Sequence, residues 1–203
     1  MLARSAPLPT GSGWSFEPKW DGFRVLVSTV DGSPGAQSPR VGHDGGLARA
    51  PRPPPRGDLL LDGELVAWRK EKPYFPYVSR RVLNRDMSIV LTYVLLDVLR
   101  KDGADLMERP YSQRRSQLED LALEGPAWTT TPVFDDGQAL FAAICERGLE
   151  GVVAKKRSGC YRPGDRRDQI KRKNPDYWRR EFEIEAMRHA GERRRARGCL
   201  SSA

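Results

Sequence analysis

Apolar residues along this chain are concentrated in short runs bounded by glycine, proline and Asp-Gly pairs. Three of these runs, at positions 23–30, 58–68 and 89–99, are rich in β-branched and other apolar residues, which is typical of buried strands. Asp62-Gly63 lies inside the second run and predicts a turn between two strand segments. The pattern therefore predicts several short strands joined by tight connections.

Helical spacing of apolar residues occurs at positions 111–123 and 138–147, which predicts two amphipathic helices. The apolar run at 151–154 predicts a further short strand, and positions 169–173, with lysines at alternate positions, predict another. Strands and helices are interspersed without the strict alternation of βαβ units. The sequence therefore predicts an α+β fold of mixed, mainly antiparallel sheets flanked by helices.

Composition divides the chain into a central domain and two flanking segments. Residues 1–13 are rich in Pro, Gly and Ser and are predicted to be flexible. Residues 14–175 are predicted to form one domain, in which the Gly- and Pro-rich stretch 32–57 is a long loop or a degraded helical connection. Residues 176–203 are predicted to form a charged helix followed by a basic tail.

Charge and cysteine usage narrow the classes of function. The net charge is +8 and the isoelectric point is about 9.7, which favours a polyanionic partner, either nucleic acid or anionic lipid, without choosing between them. The three cysteines lack a CxxC spacing, which argues against a disulfide framework or a structural zinc site and favours the reducing cytosol. We find no apolar run long enough to span a membrane and no secretory signal.

Candidate chemistry begins at Lys19, which lies in a Lys-x-Asp-Gly-x-Arg frame that ends at Arg24. A lysine must lose its proton before it can act as a nucleophile, and nearby cations and burial favour the neutral amine. Lys171 and Lys173 are spaced for one face of a strand and could supply those cations. The same two ammonium groups would pair with phosphate oxygens.

Two glutamates in apolar surroundings are candidate metal ligands. Glu64 follows Asp62-Gly63, and Glu150 precedes the Gly-Val-Val-Ala-Lys run that ends at Lys155. Phosphoryl and nucleotidyl transfer commonly uses Mg²⁺ held by one or two carboxylates and by substrate phosphates. We therefore predict that Glu64 and Glu150 lie near a magnesium ion.

These four segments, in this order and spacing, resemble the motifs of the ATP-dependent DNA ligases, most closely the bacterial end-joining type. The resemblance covers roughly residues 14–173. It implies an ATP-grasp-like nucleotidyltransferase domain that forms a covalent lysine–AMP with ATP and Mg²⁺ and acts on nicked or broken double-stranded DNA in repair and recombination. It also implies a cytosolic, nucleoid-associated protein.

The resemblance assigns roles residue by residue. Lys19 corresponds to the lysine that accepts AMP, and Glu150 to a metal-proximal glutamate. The remaining positions correspond to residues that contact the nucleotide or the DNA phosphate: Glu17, Arg24, Arg40 in the Arg40-Val41-Gly42 segment, Glu64, Lys171 and Lys173.

Two departures from the family pattern affect the reading. Leu96 stands where an aromatic residue usually precedes an aspartate, here Asp97. Tyr93 is the candidate for an aromatic ring that stacks on adenine, and an equal alternative is a core tyrosine of the strand. In addition, the 30 residues after Lys173 are too few for the OB-fold domain of such ligases. We therefore predict no OB-fold domain here and a separate OB-fold or end-joining protein as a partner.

Three functions stay open at this stage. The first is a DNA ligase adenylation domain, which transfers AMP from Lys19 to the 5′-phosphate of a nick. The second is an RNA ligase or mRNA-capping guanylyltransferase, which shares the lysine chemistry. The third is a DNA-binding ligase remnant without activity, which the basic charge and the missing OB-fold domain would fit.

Overall fold

The computed structural model describes residues 3–30, 33–34, 57–165 and 167–178. The strands are β1 Arg4–Ser5, β2 Trp14–Pro18, β3 Phe23–Val30, β4 Ser33–Pro34, β5 Leu59–Val66, β6 Trp68–Arg69, β7 Lys72–Pro73, β8 Thr92–Lys101, β9 Ala104–Asp105, β10 Trp128–Thr130, β11 Gly151–Lys156 and β12 Gln169–Lys173. The helices are α1 Phe75–Leu83, α2 Tyr111–Glu119 and α3 Gly137–Glu146.

The larger sheet follows the strand order β10-β8-β5-β3-β4, with β9 also paired to β8. All its pairings are antiparallel except that of β10 with β8. Its apolar side chains form one core cluster with Val78 of α1 and Leu118 of α2, which are fully buried. The long central strands β3, β5 and β8 therefore form the rigid base of the molecule.

The smaller sheet follows the order β1-β12-β11-β2 and has its own core. Only the pairing of β1 with β12 is parallel. Helix α3 packs Leu140 and Ile144 against this sheet, and the Asp136 side chain caps its first turn by accepting two backbone N–H bonds. The prediction of an α+β fold with mixed, mainly antiparallel sheets flanked by helices is confirmed.

The Asp62-Gly63 pair does not form the turn that the sequence predicts. Both residues lie inside β5, which runs unbroken from Leu59 to Val66. A Cβ at Gly63 would lie 2.5 Å from the carbonyl oxygen of Val94 and 2.8 Å from Cζ of Tyr93. Glycine is needed here because β8 approaches the backbone closely, and an Asp-Gly pair cannot distinguish this need from that of a turn.

The described part of the N-terminal segment is more ordered than predicted. Residues 4 and 5 form β1 and pair with Ile170 and Lys171 of β12, and Leu8 is buried in the core of the smaller sheet. The flexible segment predicted for residues 1–13 is therefore wrong for this part, because one leucine among its prolines docks against a sheet. Most of the predicted loop 32–57 and basic tail 176–203 lies outside the described residues.

None of the helices in the described part of the chain is both long and apolar enough to cross a membrane.

Candidate nucleotide site

Lys19 lies at the start of the short loop that leaves β2 of the smaller sheet and enters β3 of the larger one. The backbone N–H of Lys19 donates to the carbonyl of Gly151 at 2.8 Å. The loop closes tightly at Gly22, where a Cβ would lie 2.0 Å from the carbonyl oxygen of Leu65. Glycine is therefore needed in the Lys-x-Asp-Gly-x-Arg frame because the backbone at Gly22 lies close to the backbone at Leu65.

The Lys19 ammonium group is held by Glu150. Its Nζ atom lies 2.8 Å from Oε2 of Glu150, and Nζ of Lys173 lies 3.3 Å from Oε1 of the same carboxylate. Glu150 is only 5% exposed, whereas the Lys19 side chain is 23% exposed. Sequence reasoning expected cations to flank Lys19, but the structure instead places a buried carboxylate between Lys19 and one of those cations.

A cavity of about 200 Å³ opens beside Lys19 between the two sheets. Ligand pockets for small molecules commonly reach about 300–1,000 Å³, so this cavity is smaller than a typical pocket that encloses a whole ligand. Its lining residues include five predicted site residues, namely Glu17, Lys19, Arg24, Glu64 and Lys171. Leu96, Val153 and Lys155 complete one side of the wall.

Glu17 forms a buried ion pair with Lys155 at 2.8 Å, with side chains 1% and 5% exposed. The Tyr111 hydroxyl donates to the same Glu17 oxygen at 2.6 Å, and Lys155 also donates to the carbonyl of Leu96 at 2.8 Å. Burial, followed by the charge of Glu17, raises the pKa of Tyr111 well above its usual value. Tyr111 therefore stays protonated and remains a donor to Glu17.

Arg24 forms a two-pronged pair with Asp62, at 2.9 Å and 2.6 Å, and the Tyr161 hydroxyl donates to the same carboxylate at 2.7 Å. Burial disfavours the charged form of Asp62, but the charge of Arg24 and the bonds from Arg24 and Tyr161 outweigh burial and lower its pKa. Asp62 therefore orients the Arg24 guanidinium group at the cavity.

Glu64 has an unusual environment for a carboxylate. Burial raises its pKa to about 7, and the charges of Lys19 and Arg24 oppose that rise while Glu150 and Asp62 add to it. Its Oε1 atom accepts the backbone N–H of Gly22 at 3.2 Å. Glu64 therefore changes protonation near neutral pH and faces the negative charge of Glu150.

Glu64 and Glu150 are the two carboxylates that the sequence predicts near a metal ion. Among the described residues, no group of three or more His, Cys, Asp and Glu side chains could hold a metal ion. Mg²⁺ in nucleotide sites is commonly bound by one or two carboxylates together with substrate phosphates. Their role as metal ligands stays a prediction.

The structure brings together most residues that the sequence singled out. Tyr93 is an exception, because it is fully buried in the larger core and its hydroxyl lies 2.6 Å from the carbonyl oxygen of Val25. The prediction that it stacks on adenine is therefore wrong, because its ring packs against Gly63 and Trp128. Arg40 lies outside the described residues.

Sequence reasoning missed three tyrosines, Tyr111, Tyr161 and Tyr177, each of which donates to a buried carboxylate. These bonds join residues 94, 99 and 156 positions apart along the chain. A buried acidic residue in an apolar run was the available signal that such donors exist, but it could not identify them.

Two mixed sheets that meet at a cavity, with a lysine at its mouth and buried carboxylates beside it, define the adenylation domain class of nucleotidyltransferase. Residues 1–173 match the family described as ATP dependent DNA ligase domain, and the chain belongs to that family.

Individual relatives agree with this assignment. The multifunctional non-homologous end joining DNA repair protein LigD of Mycobacterium tuberculosis is 34% identical over 163 residues. That match covers 76% of this chain and 21% of the relative, so the chain spans about a fifth of the length of this relative.

Solved structures of the same kind share the fold. The ligase domain of M. tuberculosis LigD has a TM-score of 0.62 and 29% identity, and the match covers 85% of this chain and 59% of that one. A mycobacterial DNA ligase D complexed with ATP and MES gives a TM-score of 0.62 at 29% identity, and covers 85% and 60% of the two chains.

Proposed function

We propose that this chain carries out the adenylation chemistry of an ATP-dependent DNA ligase, with Lys19 as the residue that accepts AMP. The observation that carries the proposal is the 2.8 Å contact between Lys19 and Glu150 at the mouth of a cavity lined by Glu17, Arg24 and Lys171. This arrangement places a primary amine, a proton acceptor and a cation around one opening.

In the first step, the Lys19 ammonium group loses one proton to solvent, and the nitrogen, now neutral, attacks the α-phosphorus of ATP. The bond from that phosphorus to the bridging oxygen breaks, and pyrophosphate leaves with the bonding electrons. Glu150 accepts the proton from the attacking nitrogen, since that nitrogen already donates to its carboxylate. Lys171 and Lys173 stabilise the negative charge on the phosphorus centre and on the leaving group.

A magnesium ion would neutralise charge on the triphosphate and, as a Lewis acid, polarise its phosphoryl oxygens. Glu64 and Glu150 would hold it together with the phosphate oxygens. Glu64 must be ionised for this role, and its pKa of about 7 makes the availability of that charge sensitive to pH near neutrality.

The opposite end of the cavity fits the nucleoside. Leu96 and Val153 offer apolar side chains to the faces of a purine, and the Glu17–Lys155 pair offers polar atoms to its edge. Arg24 is fixed by Asp62 while 36% of its side chain stays exposed, so it can contact the ribose. These contacts orient AMP after it is joined to Lys19.

In the later steps, AMP passes from Lys19 to the 5′-phosphate of a DNA nick, and a 3′-hydroxyl then displaces AMP and joins the strands. The net charge of +8 supports DNA as the polyanion. The names of the LigD relatives support a role in end joining, with partner domains or proteins that complete the ligation.

The test is labelling of the purified protein with ATP that carries a radioactive α-phosphate, in the presence of Mg²⁺. We expect label that survives denaturation in the wild type and none in Lys19→Ala. Lys101→Ala is the matched control and should label normally, because Lys101 donates to Gln117 of α2 and lines a different cavity. A wild type without label, or a labelled Lys19→Ala, would overturn the proposal.

The same assay separates the other two functions. Competition between labelled ATP and labelled GTP distinguishes a DNA ligase, which takes ATP, from a capping guanylyltransferase, which takes GTP. A nicked duplex with a 5′-phosphate, offered beside a nicked RNA, distinguishes DNA from RNA as the acceptor of AMP. A protein that binds DNA but takes no label from either nucleotide would be a ligase remnant.

A further inference from the structure

The loop that carries the nucleophile, residues 19–22, is held at every position. The backbone N–H of Lys19 donates to Gly151, and the indole N–H of Trp20 donates to Oγ1 of Thr131 at 2.9 Å. The backbone N–H of Gly22 donates to Glu64. These three contacts come from elements of the two sheets or the segments beside them.

The fourth contact comes from the segment that follows β12. The Tyr177 hydroxyl donates to Oδ2 of Asp21 at 2.7 Å. Asp21 is 2% exposed and Tyr177 is 6% exposed, so water cannot replace the hydroxyl without a rearrangement. A hydrogen bond to a buried carboxylate is among the stronger kinds, because its acceptor is charged and desolvated. Burial, followed by the bond to Asp21, keeps the pKa of Tyr177 above its usual range, so the hydroxyl stays a donor.

Tyr177 is itself held in place by a turn that begins at Asn174. The backbone N–H of Asn174 donates to the carbonyl of Glu150 at 2.8 Å, and its side-chain amide donates to the carbonyl of Leu149 at 3.1 Å. The Asn174 side chain also accepts the N–H of Asp176 at 3.0 Å. The turn is therefore attached to the backbone of Glu150, the residue whose carboxylate holds Lys19.

The next residue anchors the far end of this turn. The Trp178 ring stacks on Tyr74, at the start of α1, with ring centroids 5.6 Å apart. Residues 174–178, which we call the clasp, thus contact the start of β11, the nucleophile loop and the region of α1. A shift of the clasp would change the position of Asp21, two residues after Lys19.

We propose that Tyr177 is a positioning residue for adenylation, which holds Asp21 and through it sets the position of Lys19. The inference rests on the proposed function of Lys19. It assigns the clasp a role in the reaction although Tyr177 does not line the cavity. The clasp makes the reactivity of Lys19 dependent on the conformation of the chain just after β12.

The experiment compares Tyr177→Phe with Tyr77→Phe, a matched removal of a hydroxyl from a tyrosine of α1 that does not line the cavity. Single-turnover labelling should slow about tenfold in Tyr177→Phe, the scale of a lost hydrogen bond to a charged group, while the ATP concentration for half-maximal rate changes less than about twofold. Tyr77→Phe should match the wild type. An unchanged rate, or a rise in the half-maximal ATP concentration alone, would overturn the inference.

A double-mutant cycle tests whether Tyr177 acts through Asp21. If it does, Asp21→Asn combined with Tyr177→Phe should label about as fast as the slower single variant, whereas independent effects would multiply. Multiplying effects would contradict the inference.

Hydrogen exchange provides a readout that needs no activity. The peptide spanning residues 19–23 should exchange faster in Tyr177→Phe than in the wild type or Tyr77→Phe. Equal exchange in all three proteins would overturn the inference that the clasp holds the loop. If the wild type takes no label but the loop still exchanges faster in Tyr177→Phe, the proposed function is overturned. The claim that Tyr177 holds the loop would then stand without it.

Discussion

Two cavities in the described part of the chain differ in an instructive way. The larger one, about 680 Å³, lies between α2 and the β8–β9 hairpin, and the smaller one beside Lys19 is about 200 Å³. Exposed side chains such as Asp102 and Arg109 line the larger cavity. The smaller cavity is lined by Glu17 and Lys155, which are buried and paired.

The comparison indicates that desolvated charge, rather than volume, marks the chemical site. Removing charged groups from water costs free energy that only specific partners offset. Several such groups around one opening are therefore typical of a site of chemistry or binding. The larger cavity has one buried pair, Arg114 with Asp97, which bonds to backbone carbonyls and ties α2 to β8. Its buried charge is thus structural.

The largest expected effect concerns the buried pair of the smaller cavity. Lys155→Ala leaves Glu17 buried without its cation, and we expect the free energy of unfolding to fall by about 3–5 kcal/mol. Lys101→Ala in the larger cavity should change it by less than about 0.5 kcal/mol, because the Lys101 side chain donates to Gln117 at a partly exposed position and carries no buried ion pair among the described residues. Urea titration measures the free energy of unfolding of both variants. Similar losses in the two would contradict the distinction between the cavities.

A smaller effect is expected at the Arg24–Asp62 pair. Tyr161→Phe removes the hydroxyl that donates to Asp62, and we expect a loss of about 2 kcal/mol in the free energy of unfolding. Tyr77→Phe should cost less than about 0.5 kcal/mol. If thermal and urea unfolding show the two variants to be equally stable, the carboxylate has no need of its tyrosine donor.

The smallest expected effect is a pH dependence due to Glu64. Its pKa is about 7 in the folded protein against an ordinary value of 4.5, so the folded state binds its proton more tightly than the unfolded state. The stability of the wild type relative to Glu64→Gln should therefore be highest below pH 4.5 and should fall as pH rises towards about 7. Above that pH it should level off.

Urea midpoints of both proteins across this range measure the difference. A relative stability that rises with pH would show that Glu64 is held as a carboxylate instead. The same protonation predicts that Mg²⁺ binds more tightly as pH rises through about 7 in the wild type, and that this step is absent from Glu64→Gln.

Local patterns predicted the strands well where burial alone decides them. The strands 23–30 and 169–173 form with the predicted bounds, and each pairs with a neighbouring strand on both of its edges. The Asp62-Gly63 turn failed, because glycine serves close approach as well as turning. The prediction that Tyr93 stacks on adenine failed for a related reason, since the sequence of a strand does not show whether its tyrosine packs in the core or contacts a ligand.

The candidate site was predictable in its charged residues and not in their partners. Lys19, Glu64 and Glu150 stand out because charge in an apolar run requires an explanation. Their partners come from distant parts of the chain, as with Tyr111, whose hydroxyl reaches Glu17 across 94 positions. Only the folded arrangement of the sheets determines which of several tyrosines reaches which carboxylate.

The parallel pairing of β1 with β12 has a consequence for handling the protein. Arg4 and Ser5 cover the outer edge of the strand that carries Lys171 and Lys173. A variant trimmed to begin after residue 5 would leave that edge with unpaired backbone groups, which recruit a strand from another molecule. Trimming a few N-terminal residues should therefore promote self-association through β12, and a peptide with the sequence of residues 3–8 should suppress it.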